Sequence, residues 1–179
     1  GLLLFINPAQ GQDLSGVRIF INPGHGGYDS DDRNVVIAPF TSGDQNGFWE
    51  SKSNLDKGFT LRSMLLTHNA EAMMSRTKNT TSDDLPLSAI VQMANEYNAD
   101  FMLSIHSNAG AGSANHVLML YSGVDTGDTY IYPTPTPYSE LSKAVSTEIA
   151  KNIYSNQITT WSSTYSVRGD KTFGRVAMG

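Results

Sequence analysis

Two histidines directly follow short apolar runs that predict buried strands. Residues 19–21 lead through a Pro-Gly turn to His25, and residues 101–105 end immediately before His106. In open α/β sheets, ligands bind just beyond the carboxyl ends of the strands, so both imidazoles are placed where chemistry usually occurs. The chain has no cysteine, so any metal must be held by His, Asp and Glu. We predict a single metal held between His25 and His106, with Glu50 as the third ligand.

A His, Glu, His set with an open fourth position is the pattern of a catalytic zinc site. Two neutral imidazoles and one carboxylate leave net positive charge on a bound Zn2+ ion. That charge lowers the pKa of a bound water and polarises a carbonyl oxygen. The long sequence separation makes the pattern a weaker signal than a compact motif such as H-E-x-x-H.

Each of the three positions also has an interpretation that needs no metal. The glycines around His25 are compatible with a phosphate-cradling turn, although neither G-x-x-x-x-G-K-[ST] nor G-x-G-x-x-G is present. His106 is alternatively a half-buried residue with a satisfied hydrogen bond, and Glu50 is favoured at a helix start by the helix dipole. His68 and His116 compete for the ligand role, but we rank both below the first two histidines.

Hydrophobic periodicity predicts strands that alternate with helices. A loop rich in Gly, Asp, Asn and Ser covers 28–49, and no element is predicted after Asn156. Alternation of this kind is typical of the α/β class, with a mostly parallel sheet covered by helices on both faces. The predicted strands are 17–22, 35–38, 70–75, 100–105 and 117–121, and the predicted helices are 51–68, Leu87–Tyr97 and Tyr138–Ile153.

The bulk composition is typical of a globular domain. The 179 residues are 39% apolar and 16% charged, which suffices for a sizeable core. The net charge of −5, without a Lys/Arg cluster, argues against a nucleic-acid partner. No run approaches the roughly 20 apolar residues of a membrane-spanning helix. We predict an N-terminal extension over 1–16, followed by a single domain over 17–179.

Six short motifs occur in a consistent order along the chain. The first is Asn22-Pro-Gly-His-Gly-Gly27, and the second is Glu50 with Asn54 and Leu55 after it. The others are Ser75-Arg76-Thr77, Ala94-Asn95 with Ala99-Asp100, Ser104-Ile-His-Ser-Asn-Ala109 and Arg168-Gly169. This ordered set resembles the zinc-dependent N-acetylmuramoyl-L-alanine amidases of the amidase-3 family (AmiA/AmiC type).

The resemblance implies a fold, an activity and a location. The fold is a central sheet of about six strands flanked by helices, of the phosphorylase/hydrolase-like kind. The activity is zinc-dependent hydrolysis of the amide between N-acetylmuramic acid and L-alanine, with the peptidoglycan stem peptide and glycan as partners. The location is extracytoplasmic, in the periplasm or cell envelope, with a signal peptide removed before Gly1. Any activator protein is unknown.

The resemblance also assigns roles to individual residues. The family's three zinc ligands map onto His25, Glu50 and His106. Substrate-binding or supporting roles are expected for Asp29, Asn108 and Arg168.

The chain departs from the family pattern at three points. Asn22 stands where the family has Asp, and the loop between His25 and Glu50 is longer than is typical of the family. The family's general base is a glutamate in a late V-E-x-G-F-like strand, yet no glutamate follows Glu148 here. We expect the amidase catalytic domain over 17–179 to lack that strand, with the base C-terminal to Gly179. Two alternatives remain open, namely a non-catalytic peptidoglycan-binding module and a zinc peptidase or deacetylase acting on another amide.

Overall fold

The computed structural model describes residues 13–29, 34–36, 38–107, 117–125, 138–156 and 165–170. The chain divides into two compact units, residues 1–107 and 108–179. The strands are β1 (Arg18–Pro23), β2 (Asn34–Val35), β3 (Phe48–Trp49), β4 (Glu71–Met74), β5 (Phe101–Ile105), β6 (Val117–Tyr121) and β7 (Tyr165–Gly169). The helices are α1 (Glu50–Thr67), α2 (Leu87–Glu96) and α3 (Ser139–Asn156). The predicted boundary at residue 17 stays a prediction.

The first unit is built on a parallel sheet with the strand order β4-β1-β5. The register pairs Ile21 with Met74 on one side and with Leu103 on the other. At the carboxyl end Pro23 is paired with Ile105. The chain segments that leave β1 and β5 therefore start side by side at the same edge of the sheet, which is the edge that carries both predicted histidines.

Helices cover both faces of this sheet because successive β1 side chains point in opposite directions. Phe20 is fully buried and packs against Ile90 and Ala94 of α2. Ile21 is also fully buried and packs against Leu55 of α1 on the other face. The predicted α/β class, with a parallel sheet between helices, is confirmed.

Replacing Phe20 with alanine is expected to lower the free energy of unfolding by about 3–5 kcal/mol, because a large cavity would remain between β1 and α2. Urea unfolding followed by circular dichroism measures the change. Phe59→Ala is the matched control. Phe59 is 41% exposed, so its truncation removes less buried surface than the truncation of Phe20. A loss at Phe20 no larger than at Phe59 would contradict this assignment of the core.

Gly58 lets α1 approach the sheet closely. A Cβ atom at this position would come within 2.9 Å of both Met74 Cε and Pro23 Cγ. Sequence propensity counts a helical glycine as unfavourable, but here the missing side chain makes room for the end of β1. Helix α1 therefore lies directly against the strand that leads to His25, and its first residue is Glu50.

The second unit contains β6, α3 and β7, and the two strands pair in parallel. Strand β7 was missed because its sequence, Tyr-Ser-Val-Arg-Gly, lacks a clear apolar alternation. In the described residues, the predicted sheet of about six strands is instead three separate sheets of three, two and two strands. Backbone pairing decides which strands share a sheet, and strand sequences do not specify it. No helix in the described ranges is long and apolar enough to cross a bilayer.

Candidate metal centre

Three residues that lie far apart in sequence come together at the carboxyl edge of the parallel sheet. Nε2 of His25 lies 3.6 Å from Oε1 of Glu50, and Nδ1 of His106 lies 3.2 Å from the same oxygen. One possible ligand atom from each residue lies within 4.8 Å of the others. Ligand atoms of a tetrahedral zinc with bonds of about 2.0–2.1 Å are about 3.3 Å apart. The spacing and the donor types therefore fit a single small cation such as Zn2+.

Glu50 is the first residue of α1 and is only 1% exposed. The backbone N–H of Ser107 donates to its Oε1 atom at 2.8 Å, and Nδ2 of Asn54 donates to the same oxygen at 3.4 Å. A buried carboxylate is costly unless hydrogen bonds or a cation compensate it, and the helix N-terminus adds a favourable dipole. These groups hold the carboxylate beside the two imidazoles. Asn54 had no predicted role, although its i+4 spacing from Glu50 was a usable signal.

The start of α1 is anchored from the loop side by Trp49. Its indole is 5% exposed, donates from Nε1 to the carbonyl oxygen of Asp44 at 2.8 Å, and packs edge-on against Tyr28. Packing is therefore the structural role of Trp49, and it fixes the residue that precedes Glu50.

His25 adopts a backbone conformation that few non-glycine residues use. Its φ angle is 62°, in the left-handed region. The turn packs tightly on its C-terminal side, where a Cβ atom at Gly26 would lie 2.5 Å from the backbone nitrogen of Asp84. Strained residues of this kind persist only where the surrounding structure fixes them, and they cluster at functional sites.

The turn that supports Gly26 is itself capped. Residues Thr81–Asp83 form a short 3₁₀ helix, and Thr80 donates to the Asp83 carboxylate through its backbone N–H at 2.9 Å. The hydrogen bond from the Thr80 side chain lowers the pKa of Asp83 below its usual value. The carboxylate therefore remains charged and holds the turn under the glycines.

The imidazole of His106 packs directly on the backbone of Gly24. A Cβ atom at Gly24 would lie 2.1 Å from Cε1 and 2.3 Å from Nε2 of that ring. The Gly24 N–H donates to the carbonyl oxygen of Ile105 at 2.9 Å, which fixes the two segments together. Gly24 therefore makes space for the ring of His106, a role that the local sequence around His25 does not indicate.

Asn22 links all three strands beneath this site. Its Nδ2 donates to Oγ of Ser104 at 2.9 Å, and Oγ of Ser75 donates to its Oδ1 at 2.8 Å. The side chain is 4% exposed. An amide offers both a donor and an acceptor here, so Asn22 satisfies both neighbouring hydroxyl groups without burying a charge.

Two of the other predicted site residues, Asp29 and Arg168, lie in the described part of the chain. Asp29 is half-buried in the segment after Gly27. Arg168 lies in β7 of the second unit and forms an ion pair with Asp125. Among the competing histidines, His68 follows the last residue of α1 and is not part of the cluster. Asn108 and His116 lie outside the described residues.

A parallel α/β sheet with two histidines and a glutamate gathered at the carboxyl ends of its strands defines an α/β domain with a candidate metal centre. Residues 19–171 match the Amidase_3 family, described as N-acetylmuramoyl-L-alanine amidase. The chain belongs to this family.

Two curated relatives agree with this membership, and a solved structure shares the fold. N-acetylmuramoyl-L-alanine amidase CwlM of Bacillus licheniformis is 38% identical over 99 residues, which cover 54% of this chain and 34% of that protein. The sporulation-specific N-acetylmuramoyl-L-alanine amidase of Bacillus subtilis (strain 168) is 33% identical over 117 residues, covering 65% and 36%. The structure of N-acetylmuramoyl-L-alanine amidase AmiC2 of Nostoc punctiforme matches with a TM-score of 0.60 at 23% identity, covering 89% of this chain and 72% of that one. The last match shows the shared fold.

Proposed function

We propose that this protein hydrolyses the amide bond between N-acetylmuramic acid and L-alanine in peptidoglycan, with Zn2+ held by His25, Glu50 and His106. The observation that carries the proposal is the convergence of these three residues at one sheet edge, in a chain that belongs to the amidase family. Membership of the family supports the proposed reaction, and the set of two imidazoles and one carboxylate supports the proposed metal.

The chain's own residues would bind the Zn2+ ion and hold its ligand groups in a fixed orientation. Both histidines must be neutral to act as ligands, and the Glu50 carboxylate supplies a negative charge that offsets part of the cation's charge. Hydrogen bonds from Ser107 and Asn54 fix the carboxylate, so little reorganisation accompanies binding. When bound, zinc polarises the scissile carbonyl and lowers the pKa of a water molecule.

Other parts of the proposal rest on the family resemblance. The proton acceptor would be a glutamate C-terminal to Gly179, and Asp29, Asn108 and Arg168 would support substrate binding. The stem peptide and the glycan would be the substrate groups, and the site of action would lie outside the cytoplasm, in the periplasm or cell envelope.

Removing the metal from the full-length gene product is expected to reduce stem-peptide release from purified peptidoglycan more than about 100-fold, because metal chemistry contributes several kcal/mol to such reactions. Chromatography of the released peptides with and without a chelator measures the loss. Adding back Zn2+ should restore release, whereas adding Mg2+ should not, since Mg2+ prefers oxygen ligands. Undiminished release by metal-free protein would overturn the proposal.

The same assay separates the alternative functions. Binding to peptidoglycan without release of stem peptides in the presence of zinc would indicate a non-catalytic wall-binding module. Equal hydrolysis of ordinary peptides or acetylated sugars would indicate a zinc peptidase or deacetylase.

A further inference from the structure

Arg76 is a buried arginine beside the candidate metal centre, and the roles assigned above do not include it. Its side chain is 5% exposed. Nε donates to the carbonyl oxygen of Pro23 at 2.9 Å, and Nη2 donates to those of Gly24 at 3.2 Å and Ser51 at 2.7 Å. The guanidinium therefore joins the end of β1 to the first turn of α1.

These carbonyl groups belong to the immediate neighbours of two proposed ligands. Gly24 directly precedes His25, and Ser51 directly follows Glu50. A guanidinium presents its donors in a planar, rigid fork. The guanidinium therefore holds the two ligand-bearing segments at a fixed separation, together with Asn54, whose Nδ2 also donates to the carbonyl oxygen of Gly24 at 3.2 Å. A flexible ammonium group cannot reproduce the geometry of the fork.

We call the hydrogen bonds by which Arg76 joins these segments the brace. The opposite edge of the guanidinium extends the brace to the segment that follows His25. Nη1 donates to Oδ1 of Asn79 at 3.1 Å. The Asn79 side chain in turn accepts from the N–H of Gly27 and donates to its carbonyl oxygen, both at 3.3 Å. Oγ of Ser51 also donates to the Gly27 carbonyl oxygen, at 2.7 Å. The turn that carries His25 is thus held before and after the histidine.

We propose that Arg76 is a positioning residue that sets the distance between His25 and Glu50 and thereby the zinc affinity of the site. It acts through the backbone and Asn79 and does not touch the metal. The inference rests on the zinc site proposed above. The brace connects ligand-bearing segments and does not fill the hydrophobic core. Its effect on zinc affinity can therefore be measured separately from its effect on fold stability.

The test is zinc binding by Arg76→Lys. The zinc dissociation constant is measured by competition with a chromophoric chelator, and urea unfolding of the zinc-free protein is measured in parallel. Because a lysine keeps the charge but loses the fork, we expect folded protein with zinc affinity about 10–100-fold weaker, the range for residues that support metal ligands. Peptidoglycan hydrolysis is not needed as a readout.

Arg62→Lys is the matched control. Arg62 lies on α1 and, like Arg76, donates from Nε to a backbone carbonyl oxygen, that of Ala72 in β4 at 3.1 Å. This hydrogen bond does not involve the segments that carry His25, Glu50 or His106. The control substitution should change stability without weakening zinc binding. Equal losses of zinc affinity in Arg62→Lys and Arg76→Lys would overturn the inference, as would wild-type affinity in folded Arg76→Lys.

Asn79→Ala keeps the inference testable if Arg76→Lys does not fold. It removes the outer part of the brace from a half-buried position and should weaken zinc binding about 10-fold, at the low end of the same range. Unchanged affinity in Asn79→Ala would overturn the inference. Wild-type protein that binds no zinc would instead overturn the proposed metal site, and with it the basis of this inference.

Discussion

Replacing Glu50 with glutamine is expected to weaken zinc binding more than about 100-fold, beyond the range found when only a supporting residue is lost. The substitution keeps the size and shape of the side chain but removes the negative charge of the proposed ligand set. The glutamine carbonyl oxygen can still accept the hydrogen bond from the Ser107 N–H. The site would then hold a dication with neutral ligands alone, in a position that is 1% exposed.

The stability of the zinc-free variant provides a second signature. Burying an ionised carboxylate costs free energy, so Glu50→Gln should not lower the free energy of unfolding in the absence of zinc. In its presence, the wild type should gain stability that the variant lacks, because a ligand that binds the native state stabilises it. A residue that only supported the fold would give the opposite pattern.

Chelator competition and urea unfolding, each with and without zinc, measure both effects. Glu71→Gln is the control, because it makes the same charge change at an exposed position whose partner is Arg18. It should leave zinc affinity unchanged. Zinc binding at wild-type affinity by Glu50→Gln would remove Glu50 from the ligand set.

Replacing Gly24 with alanine is expected to weaken zinc binding by about 100-fold, because the new methyl group would occupy the position of the His106 imidazole. The closest ring atom would lie 2.1 Å from the added Cβ atom. The ring must therefore move, or β1 and β5 must separate at their carboxyl ends. Overpacking of this kind also costs about 1–3 kcal/mol of stability.

A second glycine provides the matched control. Gly43 has a φ angle of 82° and open space where a Cβ atom would lie. Gly43→Ala should therefore lower stability by about 1–2 kcal/mol through backbone strain alone, with unchanged zinc affinity. If Gly24→Ala binds zinc as tightly as Gly43→Ala does, the ring of His106 does not depend on this glycine.

Much of the architecture was predictable because the relevant signals are local. The apolar run before His106 predicted β5, and the polar loop followed by amphipathic spacing placed the start of α1 within one residue of Glu50. Strand β7 was missed because its five residues mix aromatic, polar and charged types. The number of strands in one sheet was also wrong for the described residues, since pairing depends on backbone edges that meet only after folding.

The amino-acid sequence by itself determined the residue types at the candidate site and the order of the motifs. Those features depend on residues that are close in the chain, and they suffice for the family and for the choice of His25, Glu50 and His106. Only the tertiary structure decided that Gly24 makes room for the His106 ring and that Arg76 joins the His25 and Glu50 segments. Both roles arise from contacts between atoms more than 20 residues apart in sequence, and the packing of α1, β1 and β5 sets these distances.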